Sequence, residues 1–128
     1  MIRTFGLAAA FSVAAQAVFA VDCKNAISTL DVNDCARIEQ QKVEVKLNDV
    51  YQRVIRSLEQ PDTEIEKYSE MKASLVAAQR EWIKFREADC QAVYTRHQSG
   101  TIRGVMYITC MQVRAETRIK ELELYEQE

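Results

Sequence analysis

From residue 30 to residue 125, apolar side chains return every third or fourth position, and the residues between them are mostly charged or amide. That is the period of a helix with one buried face; a half-buried strand would alternate every second residue. The pattern breaks twice, at Gln60-Pro61-Asp62 and at Ser99-Gly100-Thr101-Ile102-Arg103-Gly104, so it predicts three helices. The first is expected to begin between Leu30 and Asn33, capped by Asp31 or Asn33, with a stripe of Ala36, Val43, Leu47, Val50, Val54 and Leu58. The second is expected to begin near Asp62 or Thr63, with Glu66 placed for a capping box. Its stripe is Tyr68, Met71, Leu75, Ala78, Trp82, Phe85 and Val93. The third begins near Gly104 and carries Ile108, Met111, Ala115, Ile119, Leu122 and Tyr125. The fold class that follows is all-α, a small antiparallel three-helix bundle.

If the second and third helices turn about Gly100, residues whose numbers sum to about 200 face each other. Phe85 then meets Ala115, Ala78 meets Leu122 and Leu75 meets Tyr125, so that large side chains mostly oppose small ones. The same rule sets Cys90 opposite Cys110. With Cys23 and Cys35 these make an even count in a small chain, which reads as two disulfides stapling the bundle. Four cysteines allow three pairings. Cys23 with Cys35 and Cys90 with Cys110 are favoured because both close short local loops. Folding the first helix back about Pro61 also brings Cys35 to the end that holds Cys90 and Cys110, so the other pairings stay open. A metal site is not expected: there is no Cys-x-x-Cys, and the single histidine, His97, stands alone.

The first twenty residues, MIRTFGLAAAFSVAAQAVFA, differ from the rest. Arg3 is followed by a charge-free run over residues 5–20, and Val18 and Ala20 satisfy the small-residue rule for cleavage before Val21. The run is short and alanine-rich for a membrane span, and no stop-transfer charges follow it. Residues 1–20 are therefore expected to be a cleaved signal peptide and residues 21–128 one exported helical domain. The domain would lie in the periplasm or outside a bacterial cell, with no membrane insertion after cleavage. Arg3 is the only charge removed, which leaves 16 basic and 19 acidic residues and a net charge of −3. This mild acidity, with the signs interspersed, argues against nucleic acid as a partner.

Candidate chemistry is sparse. No base with an orienting partner, nucleophile motif, phosphate-cradling loop or dinucleotide fingerprint is present, so no catalytic residue and no cofactor is expected. In the stretch AAQREWIKFREADC, Trp82 and Phe85 read as core, with Tyr107 a further structural residue. Arg86, one turn beyond Trp82, lays its stem along the indole and reaches an acidic neighbour. The competing reading puts Trp82 and Arg86 on an exposed groove as binding anchors. The better binding candidate is the 96–104 stretch, expected to be the longest non-helical segment. It holds Arg96, His97, Ser99, Gly100, Thr101 and Arg103, with a disulfide at its base. The plainer alternative is a linker whose glycines supply backbone freedom.

Several pieces of the chain resemble one family of exported bacterial proteins, the LprI-like lysozyme-inhibitor N-terminal domain. They are Asn33-Asp34-Cys35-Ala36, Leu47-Asn48-x-x-Tyr51 and Gln79-Arg80-x-Trp82-Ile83-x-Phe85-Arg86-x-Ala88-x-Cys90, then Gly100-Thr101, Tyr107-x-x-Cys110, Arg118 and Glu121-Leu122. Where many members carry Gly-Gly-Ser or Gly-Ser in the loop, this chain has Ser99-Gly100-Thr101. The resemblance implies a non-enzymatic protein whose partner is a lysozyme or other peptidoglycan hydrolase. Such clefts carry two carboxylates, which a loop bearing Arg96, Arg103 and hydroxyls would enter. The acidic remainder would steer a basic enzyme toward it. The alternative function is a structural or accessory envelope protein that binds a partner through a helix face.

Overall fold

Ser28 ends the non-helical N-terminal segment in the computed structural model, which describes residues 21–126. Its hydroxyl accepts from the Asp31 backbone N–H (3.1 Å) and donates to Asp31 Oδ2 (2.7 Å), a reciprocal cap that starts α1, Thr29–Ser57. The cap thus falls before the expected Asp31 or Asn33, because a hydroxyl three residues ahead of an acid closes the first turn. The signal peptide expected over residues 1–20 lies outside the described residues.

α2, Tyr68–Arg96, starts later than the capping pattern predicts. Thr63 closes a separate turn, with its Oγ1 accepting from the Glu66 N–H (2.8 Å) and its own N–H donating to the Glu66 carbonyl (2.9 Å). Asp62 still caps α2, from a distance of seven residues: its carboxylate accepts from the Ser69 backbone N–H (2.9 Å) and the Ser69 hydroxyl (2.6 Å). Residues 58–67 are consequently the longest connection among the described residues. The 97–102 turn into α3, Arg103–Leu124, is the shorter one, contrary to expectation.

The three helices run up, down and up. α3 packs along both of the others, while α1 and α2 scarcely touch each other. Gln79 with Arg118, Asp89 with Arg114 and Cys90 with Cys110 pair α2 against α3 in the antiparallel register set by a turn about Gly100. α1 runs parallel to α3, with Asn33 beside Gly104 at one end and Arg53 bonded to Glu126 at the other. The core is Leu47, Val50, Val54 and Ile55 of α1, Leu75 of α2, and Ala115, Ile119 and Leu122 of α3.

α2 is rotated from its apolar stripe. Its buried residues are Leu75, Gln79, Arg86 and Cys90, with Trp82 partly buried against the core. Phe85, expected inside, is 54% exposed, and Met71 and Ala78 also face outward. The cause is polar: Gln79 and Arg86 each meet a charged partner from another helix, and satisfying them turns Phe85 about one position away. Phe85 then lies beneath the Arg114 guanidinium, 5.7 Å from its ring centroid. Tyr107 is half-buried and meets Tyr94 edge-on, with the ring centroids 6.4 Å apart.

The disulfides are Cys23–Cys35 and Cys90–Cys110, the favoured pairing, and both brace the same end of the bundle. A loop of 12 or 20 residues restricts the unfolded chain by about 3 kcal/mol. That matters for a core this small. Cys90 is wholly buried while Cys23 is exposed, so loss of the second bridge also disturbs packing. Replacing Cys90 and Cys110 with Ala is expected to lower the thermal midpoint by roughly 10–20 °C, and more than the same change at Cys23 and Cys35. Circular dichroism melts of the two variants would reverse this order if the Cys23–Cys35 bridge were the dominant staple.

The Asp62 cap has a pH signature. Hydrogen bonds from the Ser69 hydroxyl, then from its backbone N–H, hold the Asp62 carboxyl below the ordinary aspartate range. The folded state therefore favours the carboxylate. The contribution is present above the ordinary value and is lost as pH falls through the lowered one. Between neutral pH and about pH 3, the urea midpoint of the wild-type chain is expected to fall more steeply than that of Asp62→Asn. Parallel curves for the two proteins would show that the cap contributes nothing.

Candidate functional site

Two regions place polar side chains where a partner can reach them. The first is the doubly stapled end. Arg96 closes α2 and is exposed, as are Ser99 and Thr101. The other candidate residues are engaged within the turn. His97 Nδ1–H donates to the Val93 carbonyl (2.9 Å), and the Gly100 N–H donates to the His97 carbonyl (2.9 Å). Arg103 donates from Nε to the Tyr94 hydroxyl (3.1 Å) and from Nη1 to the Gly100 carbonyl (3.0 Å). The turn is thus a corner hydrogen-bonded within itself, with Arg96, Ser99 and Thr101 unengaged on its outer side and Arg103 exposed but tied down.

Neither glycine of this corner has positive φ, so backbone freedom does not account for them. Gly104 lies close against Asn33: a Cβ would come within 2.9 Å of Asn33 Nδ2 and push that side chain aside. This close approach seats the start of α3 on the start of α1. Thr29 and Asn33 therefore share a small cavity with Thr101 and Arg103. Ile27, 92% exposed, and Ile102 add apolar surface to the same end.

The second region is the gap between α1 and α2. Arg86, 8% exposed, reaches across it and donates from Nη1 to Glu44 Oε1 (2.7 Å). Its guanidinium carbon lies 4.8 Å from the Trp82 ring centroid, and that of Arg118 lies 5.9 Å away. Arg118 also donates from Nε to Gln79 Oε1 (3.0 Å) and from Nη1 to Glu121 Oε2 (2.8 Å). Leu47, Asn48, Tyr51, Gln79, Trp82, Ile83 and Arg86, all within the stretches that carry the family resemblance, line one cavity there together with Glu44. Trp82 and Arg86 thus combine both readings made from the sequence: they pack and they border a groove. Glu44 and the buried face of Gln79 escaped sequence reasoning, because polar residues on a long helix are ordinarily solvent-facing. The three- and four-residue steps from Gln79 to Trp82 to Arg86 are the signal that would have exposed them.

Asp89 lies beside Cys90 and Cys110, the place among the described residues where three metal-type ligands converge. The two sulfurs are joined in a disulfide and Asp89 is paired with Arg114 at 2.6 Å, so this cluster has no free thiolate to offer a metal. No helix among the described residues is long and apolar enough to cross a membrane.

Over residues 22–122 the chain matches the family model described as "Lysozyme inhibitor LprI". An uncharacterized protein of Rhizobium meliloti (strain 1021) is 27% identical over 105 residues, covering 79% of this chain and 76% of the relative. No solved structure matches it. The match covers α1, α2, α3 as far as Leu122 and both disulfides, and the chain belongs to the lysozyme inhibitor LprI family.

Proposed function

We propose that this protein is an exported, non-catalytic inhibitor of lysozyme-type cell-wall hydrolases that binds the enzyme through its doubly stapled end. The observation that carries this reading is the family match over residues 22–122. Two disulfides suit an oxidising compartment, and the periplasm or the cell exterior is where such an enzyme is met. The stapled end is the part best able to enter a cleft without losing conformational freedom on binding.

Within that end the contact falls to Arg96, Ser99 and Thr101, with Ile102 and Ile27 as the apolar surround. Arg96 is the cation left to pair with a cleft carboxylate, since Arg103 is tied to Tyr94 and Gly100. Arg103, His97 and Gly100 hold the corner in shape. The net charge of −3 over residues 21–128 favours approach to a basic enzyme.

A turbidity assay with purified oxidised protein and a chicken-type lysozyme tests this. Wild type is expected to slow lysis in a dose-dependent way. Arg96→Glu with Thr101→Trp is expected to lower potency by roughly tenfold or more, as loss of an interface anchor does, with an unchanged melting curve. Full potency in the double variant would remove the stapled end as the contact surface, and no inhibition by wild type would remove the reading itself.

A further inference from the structure

The gap between α1 and α2 carries more hydrogen-bonding capacity than the fold uses. Arg86 Nε is buried and has no partner among the described residues, although Nη1 is held by Glu44. That N–H is closed off from solvent, so it stays unpaired whatever enters the gap, and the donors a ligand can reach are those of the cavity wall. The Asn48 amide, the Tyr51 hydroxyl and the Trp82 indole N–H also make no hydrogen bond among the described residues. Gln79 uses only its oxygen, toward Arg118. Asn48, Tyr51, Gln79 and Trp82 line one cavity of about 210 Å³, to which Leu47 and Ile83 add apolar surface.

The combination selects a ligand class. Arg86 and Glu44 cancel in charge, and Glu44 borders the same cavity, so a carboxylate or phosphate would be repelled by the group that already occupies the guanidinium. A purely apolar ligand would strip water from the Asn48 amide, the Tyr51 hydroxyl and the indole N–H and give no partner in return. What fits is a neutral molecule with several acceptor oxygens, at least one donor and an apolar edge, small enough for one ring. We propose that this cavity is a binding site for a neutral N-acetylated sugar ring. Its acetamido carbonyl and hydroxyl oxygens accept from Gln79, Asn48, Tyr51 and the indole N–H. A hydroxyl or the acetamido N–H donates to the Glu44 oxygen that Arg86 leaves free, and the acetamido methyl packs on Leu47 and Ile83. A peptide would engage the cavity only through a single side chain. The site is built from the middle of α1 and α2, away from the stapled end, and stands independently of the inhibitor reading.

The chain has one tryptophan, so its indole N–H gives a single reporter in a ¹H–¹⁵N spectrum of the oxidised protein. Titration with N,N′-diacetylchitobiose to about 10 mM covers the range expected for one weakly held ring. Cellobiose, which lacks the acetamido group, and N-acetylalanine methylamide, a peptide mimic, serve as the comparison probes. The indole and Gln79 amide peaks are expected to move saturably with the chitobiose and not with the other two. Asn48→Ala with Tyr51→Phe is expected to weaken the response roughly tenfold while leaving the rest of the spectrum in place. A stationary indole peak, equal movement with either comparison probe, or an unchanged response in the double variant would overturn the proposal.

Discussion

A guanidinium almost wholly removed from water holds together two helices that otherwise barely meet. Arg86 leaves α2, lies over the Trp82 ring and ends on Glu44 of α1. Withdrawing a guanidinium from water is expensive unless it is paired, so once Arg86 is buried Glu44 must be beside it. That requirement fixes the rotation of α2. It brings Gln79 to the interface where Arg118 meets it, keeps Trp82 only partly buried, and leaves Phe85 outside under Arg114. It also explains why α1 and α2 stay apart: a long polar bridge spans a distance that interlocking aliphatic side chains would close. The cavity beside Trp82 is the space this bridge leaves.

The ends of the bundle are held by different means. At one end are two covalent bridges, the close approach of Gly104 to Asn33, and a turn whose carbonyls accept from His97, Gly100 and Arg103. At the other, Arg53 with Glu126 and Lys72 with Glu59 are solvent-exposed ion pairs, which contribute little individually and are screened by salt. Their arginine and lysine partners hold the Glu126 and Glu59 carboxyls below the ordinary range, without making that end rigid. Rigidity is therefore concentrated where Arg96, Ser99 and Thr101 are displayed. A binding surface there loses little freedom on contact, so less of the interaction free energy is offset by ordering.

Much of this was legible in the sequence, for physical reasons that also mark where legibility ended. Helical periodicity, one proline and two glycines identified three helices and their connections, and short loops favoured the observed cysteine pairing. The rotation of α2 was not legible because periodicity scores apolar residues. Gln79 and Arg86 belong to the buried face only by virtue of partners 39 and 42 residues away in sequence. The start of α2 was misplaced because Asp62 reaches across seven residues to cap it. In the candidate site, the types at 96–103 pointed to binding. Three of the six are hydrogen-bonded within the turn, to backbone carbonyls and a tyrosine hydroxyl, which no sequence pattern marks.

The claim on which the rest depends is that Arg86 and Glu44 act as a pair. A double-mutant cycle in urea at neutral pH, using Arg86→Met, Glu44→Leu and the combination, measures it directly. The account predicts that Arg86→Met alone destabilises the protein by about 2–4 kcal/mol and that the two changes are coupled by about 1–3 kcal/mol, the double variant recovering part of the loss. Additive effects, with a coupling below about 0.5 kcal/mol, would contradict it: α1 and α2 would then be positioned by α3 alone.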